Sequence, residues 1–191
     1  MKITPSRSLF YAGILLAGSA GISALYIPLK AQLAQQFIAS AWASTLQLNK
    51  SQRPWSWADT WPVAKLTVPQ LDQEHFVLEG ESGRVLAFGP GHNTQSSLSF
   101  TTGNIIISGH RDGSFSWLGD LDVDSEIQLQ MVSGTESYKV THIDVVEAKD
   151  TRLIVDTAEP MLTLVTCYPL SGLTSKATQR LVVTALPVSV N

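Results

Sequence analysis

The chain has 191 residues, a formal net charge of −3 at pH 7 and 44% hydrophobic residues. This length and composition fit one globular domain with an accessory segment, and the absence of clustered Lys and Arg argues against a nucleic-acid partner. The single cysteine, Cys167, excludes an intramolecular disulfide, so its thiol is either available for chemistry or part of the core.

The first predicted element is a membrane-spanning helix. Ser8 to Leu29 are twenty-two residues without a charge, and a helix of that length spans roughly 33 Å, enough to cross a hydrocarbon core of about 30 Å. Lys2 and Arg7 precede it, which predicts a cytoplasmic N-terminus and an external remainder. The competing interpretation is a cleaved signal peptide, but the apolar run is longer than a usual signal-peptide core. We therefore predict an uncleaved anchor over residues 1–29.

A helical linker, residues 30–53, is predicted next. Apolar residues recur from Lys30 to about Asn49 at spacings near three and four, with no Gly or Pro among them. They are Leu33, Phe37, Ala41, Trp42, Thr45, Leu46 and Leu48. We favour a helix that packs one face on the following domain, and the alternative is a stalk that binds a partner.

A tryptophan-rich segment follows, from Arg53 to Pro62. Its three tryptophans and two prolines leave no room for a long regular element. We predict that the rings of Trp55, Trp57 and Trp61 close one end of the core of the domain.

A mainly β domain is predicted over residues 54–191, because short apolar runs alternate there with turn residues. Eight strands of this length favour a compact barrel or sandwich, with short helical turns at Asn93–Phe100 and Phe115–Leu118. The predicted strands are Ala64–Val68, Phe76–Leu78, Val85–Phe88, Ile105–Ser108, Ile127–Val132, Tyr138–Val146, Leu162–Cys167 and Leu181–Leu186.

Cys167 is the candidate nucleophile. It ends an apolar strand pattern, and Pro169 follows it within two residues, so the thiol is predicted to face a cleft built by loops. A thiol is only a few per cent thiolate at neutral pH, and a cationic neighbour would raise that fraction. The alternative is an inert core cysteine, because free cysteines are among the most buried residues.

His110 and Arg180 are the candidate cationic neighbours. His110 ends another apolar run and could act as general acid and then general base. Arg180 opens the last apolar run, and its fork of donors could hold an oxyanion or a substrate carbonyl. His92, next to Gly91, is the rival for the acid–base role, whereas His75 and His142 fit ordinary strand positions.

No metal or cofactor is predicted. One cysteine and four scattered histidines give no ligand pair at zinc spacing, and no phosphate loop or serine elbow is found. The alternating acids Asp120, Asp122, Asp124 and Glu126 fit a solvated strand edge better than a calcium site.

The ordered set of these features resembles the sortases, membrane-anchored cysteine transpeptidases of bacterial surfaces. Thr163-Leu164-Val165-Thr166-Cys167 is similar to their cysteine signature, Arg180 follows at a typical separation, and Ser108 to Asp112 resembles their Gly-His-Arg segment. Pro54 to Pro62 and Cys167-Tyr168-Pro169 look most like the class GN sortases of Gram-negative proteobacteria. The loop between Cys167 and Arg180 departs from the pattern, since it holds few aromatic residues.

The resemblance implies an eight-stranded sortase-type barrel and a two-step transfer reaction. Cys167 would cleave a sorting motif of the Leu-Pro-x-Thr-Gly type through a thioester, His110 would be the general acid and base, and Arg180 would hold substrate and oxyanion. Thr166 and Tyr168 would contact the substrate. The implied partners are a protein with a C-terminal sorting signal and an amine acceptor. The implied location is the plasma (inner) membrane, with a single span and the catalytic domain on the periplasmic face.

Two other functions stay open at this point. One is a membrane-tethered domain that binds a peptide or glycan without catalysis, with the three tryptophans as its contact surface. The other is a hydrolytic cysteine peptidase of similar geometry, because no residue decides between transfer and hydrolysis.

Overall fold

A computed structural model describes residues 29–149, 157–171 and 177–188. The chain divides into two compact units, Met1–Phe37 and Ile38–Asn191. The described part of the first unit, residues 29–37, is helical, and Leu29, Leu33 and Phe37 are exposed there. The helix α1 runs over residues 29–48, close to the predicted helical run from Lys30 to about Asn49, and residues 49–53 of the predicted linker are not helical.

The described residues of the second unit include eight β-strands. These are β1 (Pro62–Val68), β2 (Gln73–Glu79), β3 (Gly91–His92), β4 (Asn104–Gly109), β5 (Glu126–Met131), β6 (Gly134–Glu147), β7 (Met161–Tyr168) and β8 (Gln179–Pro187). They form a closed barrel in the order β1-β2-β3-β4-β7-β8-β6-β5. The predicted eight-stranded, mainly β architecture is therefore confirmed.

Most neighbouring strands are antiparallel, but β4 and β7 run parallel at the centre of the sheet. Strand β8 pairs antiparallel with β7 on one side and with β6 on the other. The C-terminal ends of β4 and β7 and the start of β8 therefore meet at one edge of the barrel. This edge carries the candidate site.

The barrel interior is filled by alternating residues of the strands. In β1 every second residue is buried, and β5 shows the same alternation. The largest buried cluster contains Leu66, Ile107, Phe115, Leu129, Tyr138, Leu164 and Val183 among others. Strand β7 is buried on both faces from Leu162 to Thr166, which explains its continuous apolar pattern.

The second half of α1 packs on the outside of the barrel. Ile38, Ala41, Trp42 and Thr45 are buried, and the Trp42 Nε1 donates to Gln130 Oε1 at 3.3 Å. Ile38 belongs to a cluster with Leu78 and Val85. The preferred interpretation, a helix that packs one face on the domain, is confirmed for this half.

One predicted strand is wrong. Val85–Phe88 is not extended, because its first two residues belong to a short helix, α2 (Gly83–Leu86), and Ala87 and Phe88 lie in the turn that follows. The Ser82 side chain caps it by accepting a hydrogen bond from the Val85 N–H. The third strand is instead Gly91–His92, which is too short and too glycine-rich to be recognised as an apolar run.

Two smaller predictions also need correction. Residues 93–100 form turns without a helix, and the only regular turn near Phe115–Leu118 is a 3₁₀ segment at Leu118–Asp120. The alternating acids are not one strand edge, since only Glu126 lies in a strand and Asp124 adopts a left-handed φ of 73° in the preceding turn.

The predicted membrane-spanning helix lies almost entirely outside the described residues. Within residues 29–149, 157–171 and 177–188, no helix has the length and apolar character needed to cross a bilayer.

Candidate active site

Strands β7 and β8 bring Cys167 and Arg180 opposite each other. The two residues are direct register partners, which places their Cα atoms about 5 Å apart. Two residues earlier, Val165 pairs with Val182, and both valines pack with Ile106 in a cluster separate from the barrel core. Because side chains alternate along a strand, Cys167 and Arg180 share the outer face with these valines. The thiol is half-buried and unpaired.

His110, which directly follows the neighbouring strand β4, lies beside Cys167 in the register. The parallel ladder of β4 and β7 ends at the pair Gly109 and Thr166, so His110 and Cys167 are the next residues on two adjacent strands. His110 is exposed. The register therefore brings His110, Cys167 and Arg180, which are far apart in sequence, into one row across three neighbouring strands.

The turn after His110 is held from inside the barrel. The His110 carbonyl accepts hydrogen bonds from the backbone N–H groups of Gly113 at 3.2 Å and Phe115 at 3.0 Å. Phe115 is fully buried and meets Trp117 edge-on at 5.5 Å. These contacts fix the backbone that carries the imidazole.

Trp117 connects this turn to β2. Its indole N–H is shared between His75 Nε2 at 2.9 Å and the Ser114 carbonyl at 2.7 Å, and the His75 ring stacks on the indole. His75 accepts this bond only when Nε2 is unprotonated. Burial lowers the pKa of His75, against a weaker opposing effect from the Glu74 carboxylate. His75 is therefore part of the support of the turn and more than an ordinary strand residue.

Arg111 links the two loops that border the site. Its Nη1 donates to the Pro169 carbonyl at 2.7 Å, which joins the turn after His110 to the segment after Cys167. Arg111 directly follows His110 and Pro169 is two residues after Cys167, but no local pattern in the sequence predicts their contact.

The Arg180 guanidinium keeps part of its fork available. Its Nη1 donates to the carbonyls of Ala177 at 3.2 Å and Gln179 at 2.9 Å. Among the described residues, its Nε and Nη2 groups make no hydrogen bond. An arginine carries five N–H donors, so donors remain for a substrate oxygen.

The two predicted substrate contacts, Thr166 and Tyr168, both make contacts within the barrel. Thr166 is 2% exposed, and its hydroxyl donates to the Gly109 carbonyl at 2.8 Å, so it links β7 to β4. Tyr168 is half-buried and packs against the main core cluster. Both residues project to the opposite face from Cys167, because the strand alternates.

His92 is not a rival to His110. It is 2% exposed, its Nδ1 lies 3.2 Å from Glu79 Oε2, and its Nε2 lies 3.1 Å from both the Ser97 carbonyl and Ser96 Oγ. Its register partner on β4 is Ile107, which is a core residue. Both ring nitrogens are therefore committed to structural contacts.

The tryptophans do not form one contact surface, nor do they close the barrel core. Trp57 is 83% exposed. Trp55 and Trp61 are half-buried, and Trp55 packs edge-on against Phe88 at 5.2 Å in the cluster under α1. This arrangement removes the main support for a binding domain that uses all three rings.

A carboxylate near the site was not foreseen. Glu81, in the turn between β2 and α2, accepts a hydrogen bond from Ser108 Oγ. Nothing in the local pattern Gly80-Glu81-Ser82-Gly83 distinguishes this residue from a surface glutamate. In the described part of the chain, no group of His, Cys, Asp and Glu side chains is arranged to hold a metal ion.

Comparison with known proteins decides the family. The sortase domain model matches residues 66–188, which is more than half of the chain. The chain belongs to the sortase family. Sortase D of Bacillus subtilis (strain 168) is 32% identical over 107 residues, and this match covers 56% of the chain and 54% of that relative. The chain thus matches about half the length of this curated relative.

Solved sortase structures share the fold. A Clostridium perfringens sortase D5 transpeptidase superposes with a TM-score of 0.67 at 19% identity, covering 83% of this chain and 99% of that chain. Sortase A from Corynebacterium diphtheriae gives a TM-score of 0.64 at 24% identity, with 84% and 83% covered. At these identities the likeness establishes the sortase barrel and leaves the substrate open.

Proposed function

We propose that this sortase-family chain is a cysteine transpeptidase in which Cys167 is the nucleophile, His110 the general acid and base, and Arg180 the oxyanion and substrate ligand. The observation that carries the proposal is the row of these three residues across β4, β7 and β8. The half-buried state of the thiol also supports it, since a sealed sulfur could not reach a peptide.

The first half of the reaction forms a thioester. The Cys167 thiolate attacks the carbonyl carbon of the Thr–Gly bond in a motif similar to Leu-Pro-x-Thr-Gly, and negative charge develops on the carbonyl oxygen. The free N–H donors of Arg180 stabilise that oxyanion. The C–N bond then breaks, and the departing amine takes its proton from the His110 imidazolium.

The second half resolves the thioester. An amine acceptor attacks the same carbonyl carbon and gives a proton to neutral His110, and the C–S bond breaks to release the thiolate and the new amide. Water in place of the amine would give hydrolysis. The exposed position of His110 lets it exchange protons with leaving group, acceptor or solvent.

Single substitutions test this assignment with a fluorogenic sorting-motif peptide. Cys167→Ala should abolish turnover, His110→Ala should lower kcat/KM by about 10²–10⁴-fold, and Arg180→Ala by about 10²–10³-fold. The control is His142→Ala, which removes an exposed histidine of β6. Turnover retained in folded Cys167→Ala would overturn the assignment of Cys167 as the nucleophile, whereas wild-type protein that binds the peptide without cleaving it would favour a binding domain.

Product analysis separates transfer from hydrolysis. Wild-type protein is incubated with peptide, with and without an added amine such as a short oligoglycine, and the products are resolved by mass. An amide that forms at the expense of the free acid supports the transpeptidase. Only free acid at every amine concentration would support the hydrolytic peptidase.

We also propose that the chain is anchored by residues 1–29 in the plasma (inner) membrane, with the catalytic domain on the periplasmic face. The uncharged run Ser8–Leu29 behind Lys2 and Arg7 supports this location. The full chain should stay in the membrane fraction after alkaline extraction, and its domain should be degraded by protease added to spheroplasts. Release by alkali, or protection from the protease, would contradict the anchor or its orientation.

We also propose that the chain is a class GN sortase. The segments Pro54 to Pro62 and Cys167-Tyr168-Pro169 support class GN. Peptides that carry different sorting motifs, assayed side by side, would test whether the preferred motif belongs to that class.

A further inference from the structure

Glu81 places a carboxylate against the outer face of β4. Its Oε1 accepts from the Ser108 hydroxyl and its Oε2 accepts from Asn93 Nδ2 at 2.7 Å. Both partners are neutral, and no ion pair to Glu81 is found within residues 29–149, 157–171 and 177–188. The half-buried carboxylate thus carries a charge that no described cation neutralises.

This carboxylate lies on the face that carries the candidate nucleophile. Ser108 pairs with Val165, and both residues are two positions before the row of His110 and Cys167. At about 3.3 Å per residue, Ser108 is roughly 7 Å from His110 along the strand and projects on the same side. A long side chain of a substrate bound at Cys167 can therefore reach Glu81.

Arg180 and Glu81 flank this face from opposite sides. Arg180 belongs to β8, beyond β7, whereas Glu81 approaches β4 from the side of β3 and holds Asn93, which directly follows β3. One side of the cleft is thus cationic and the other anionic. A substrate that presents a negative or polar group to Arg180 and a positive group to Glu81 would be favoured.

We propose that Glu81 is a specificity-determining residue that selects substrates with a basic side chain, Lys or Arg, within two residues of the scissile bond. This inference rests on the proposed function. A carboxylate offers about four acceptor sites, and the bonds from Ser108 and Asn93 occupy two, so capacity remains for an ammonium or guanidinium. Such charge-assisted hydrogen bonds are stronger than neutral ones.

The attacking amine itself is not the group that Glu81 holds. A nucleophile must come within about 3–3.5 Å of the thioester carbon on Cys167, whereas Ser108, the anchor of the carboxylate, is two residues away along the strands. The long stems of Lys and Arg can cover that separation. Glu81 therefore contacts a side chain of the substrate and leaves the reacting nitrogen to His110.

The test uses peptides that differ only in charge. Lys, Gln or Glu is placed at the x position of a Leu-Pro-x-Thr-Gly peptide, and in a second series at the residue after the glycine. The wild-type protein is compared with Glu81→Gln, Glu81→Lys and the control Glu136→Gln, which removes the same charge from a half-buried position of β6. Because the readout is a ratio of kcat/KM values within each variant, a general loss of active protein cancels.

In the wild type, the Lys peptide of one series should be cleaved with a kcat/KM about tenfold or more above that of its Glu counterpart. Glu81→Gln should bring this ratio close to one, Glu81→Lys should invert it, and Glu136→Gln should leave it unchanged. Wild-type protein that cleaves Lys and Glu peptides equally in both series would overturn the inference alone. So would a Glu81→Gln variant that slows all peptides by the same factor, since Glu81 would then only support β4. Wild-type protein that cleaves no peptide would overturn the proposed function, and this inference with it.

Discussion

Gly109→Ala tests how the barrel core positions His110. Gly109 ends β4, directly before His110. A Cβ atom added there would lie 2.6 Å from Cδ2 and Cγ of Phe115 and 3.0 Å from Ser114 Oγ. Carbon atoms in contact are about 3.5–4.0 Å apart, so the Phe115 ring has to move by roughly 1 Å. Phe115 is fully buried and has no empty space to enter without displacing the core.

The expected cost has two parts. Overpacking of a well-packed core destabilises by about 1–3 kcal/mol. The movement of Phe115 also reaches the site, because its backbone N–H donates to the His110 carbonyl at 3.0 Å. A displacement of about 1 Å can lower a rate by about 10²-fold. We therefore expect kcat/KM to fall by about 10–100-fold, with KM changing less than kcat.

Two measurements and a matched control check this reasoning. Urea unfolding gives the free energy of unfolding, and a sorting-motif peptide gives kcat and KM. The control Gly113→Ala adds a methyl in the same turn, where the nearest atom is His110 Cβ at 3.7 Å, an ordinary contact. Phe115→Leu, combined with Gly109→Ala, should recover part of the activity because it shortens the obstructing ring. Equal stability and activity in Gly109→Ala and Gly113→Ala would refute the argument.

Three further predictions concern the supports of the site and the core. Tyr138→Phe should leave stability unchanged or raise it by about 1 kcal/mol, because the buried Tyr138 hydroxyl has no hydrogen-bond partner among the described residues. Burial, and to a smaller extent the negative charge of Glu136, raise the pKa of Tyr138. In parallel urea titrations, the stability of the wild type should therefore fall more steeply above about pH 10 than the stability of Tyr138→Phe. The folded-state pKa of His75 is lowered, so the stability of the wild type should fall as pH drops below about 6.5. His75→Gln keeps an acceptor for the Trp117 indole N–H but cannot be protonated, so its stability should not show this fall. The same fall in the variant would contradict the reasoning. Arg111→Gln removes the hydrogen bond to the Pro169 carbonyl, so amide hydrogen exchange in the segment after Cys167 should speed up and KM should rise several-fold. Unchanged hydrogen exchange would mean that this contact does not hold the segment.

The sequence predicts the strands whose burial is periodic and misses those defined by pairing alone. Continuous or alternating apolar residues identify β7 and β5 because each buries its own side chains. Strand β3 has two residues, and its existence depends on pairing with β2 and β4, which no local pattern encodes. The prediction of a strand at Val85–Phe88 is wrong for a related reason, since the apolar residues of this run pack outside the barrel from a capped helical turn.

The same distinction applies to the site. Strand ends could be located from the sequence, so Cys167, His110 and Arg180 could be chosen, and the register then joins them in one row. Thr166 and Tyr168 adjoin Cys167 in the sequence, but neighbours on a strand face opposite sides, so adjacency alone does not place them beside the thiol. Glu81 and Ser108 could not be paired in advance, because their contact spans 27 positions and depends on the turn before α2.

The register that exposes Cys167 is held by the core. A slip of one residue in β7 would turn the thiol inward and Leu164 outward, because the side-chain period of a strand is two. Leu162 and Leu164 are fully buried, and their burial is worth about 1.5–3 kcal/mol each, whereas the hydrogen bond from Thr166 to Gly109 contributes about 1 kcal/mol. The burial of the two leucines therefore dominates. Thr166→Val should lose about 1 kcal/mol of stability in urea unfolding and leave the rate of Cys167 alkylation unchanged. A thiol that becomes protected in this variant would show that the hydroxyl, and not the leucines, sets the register.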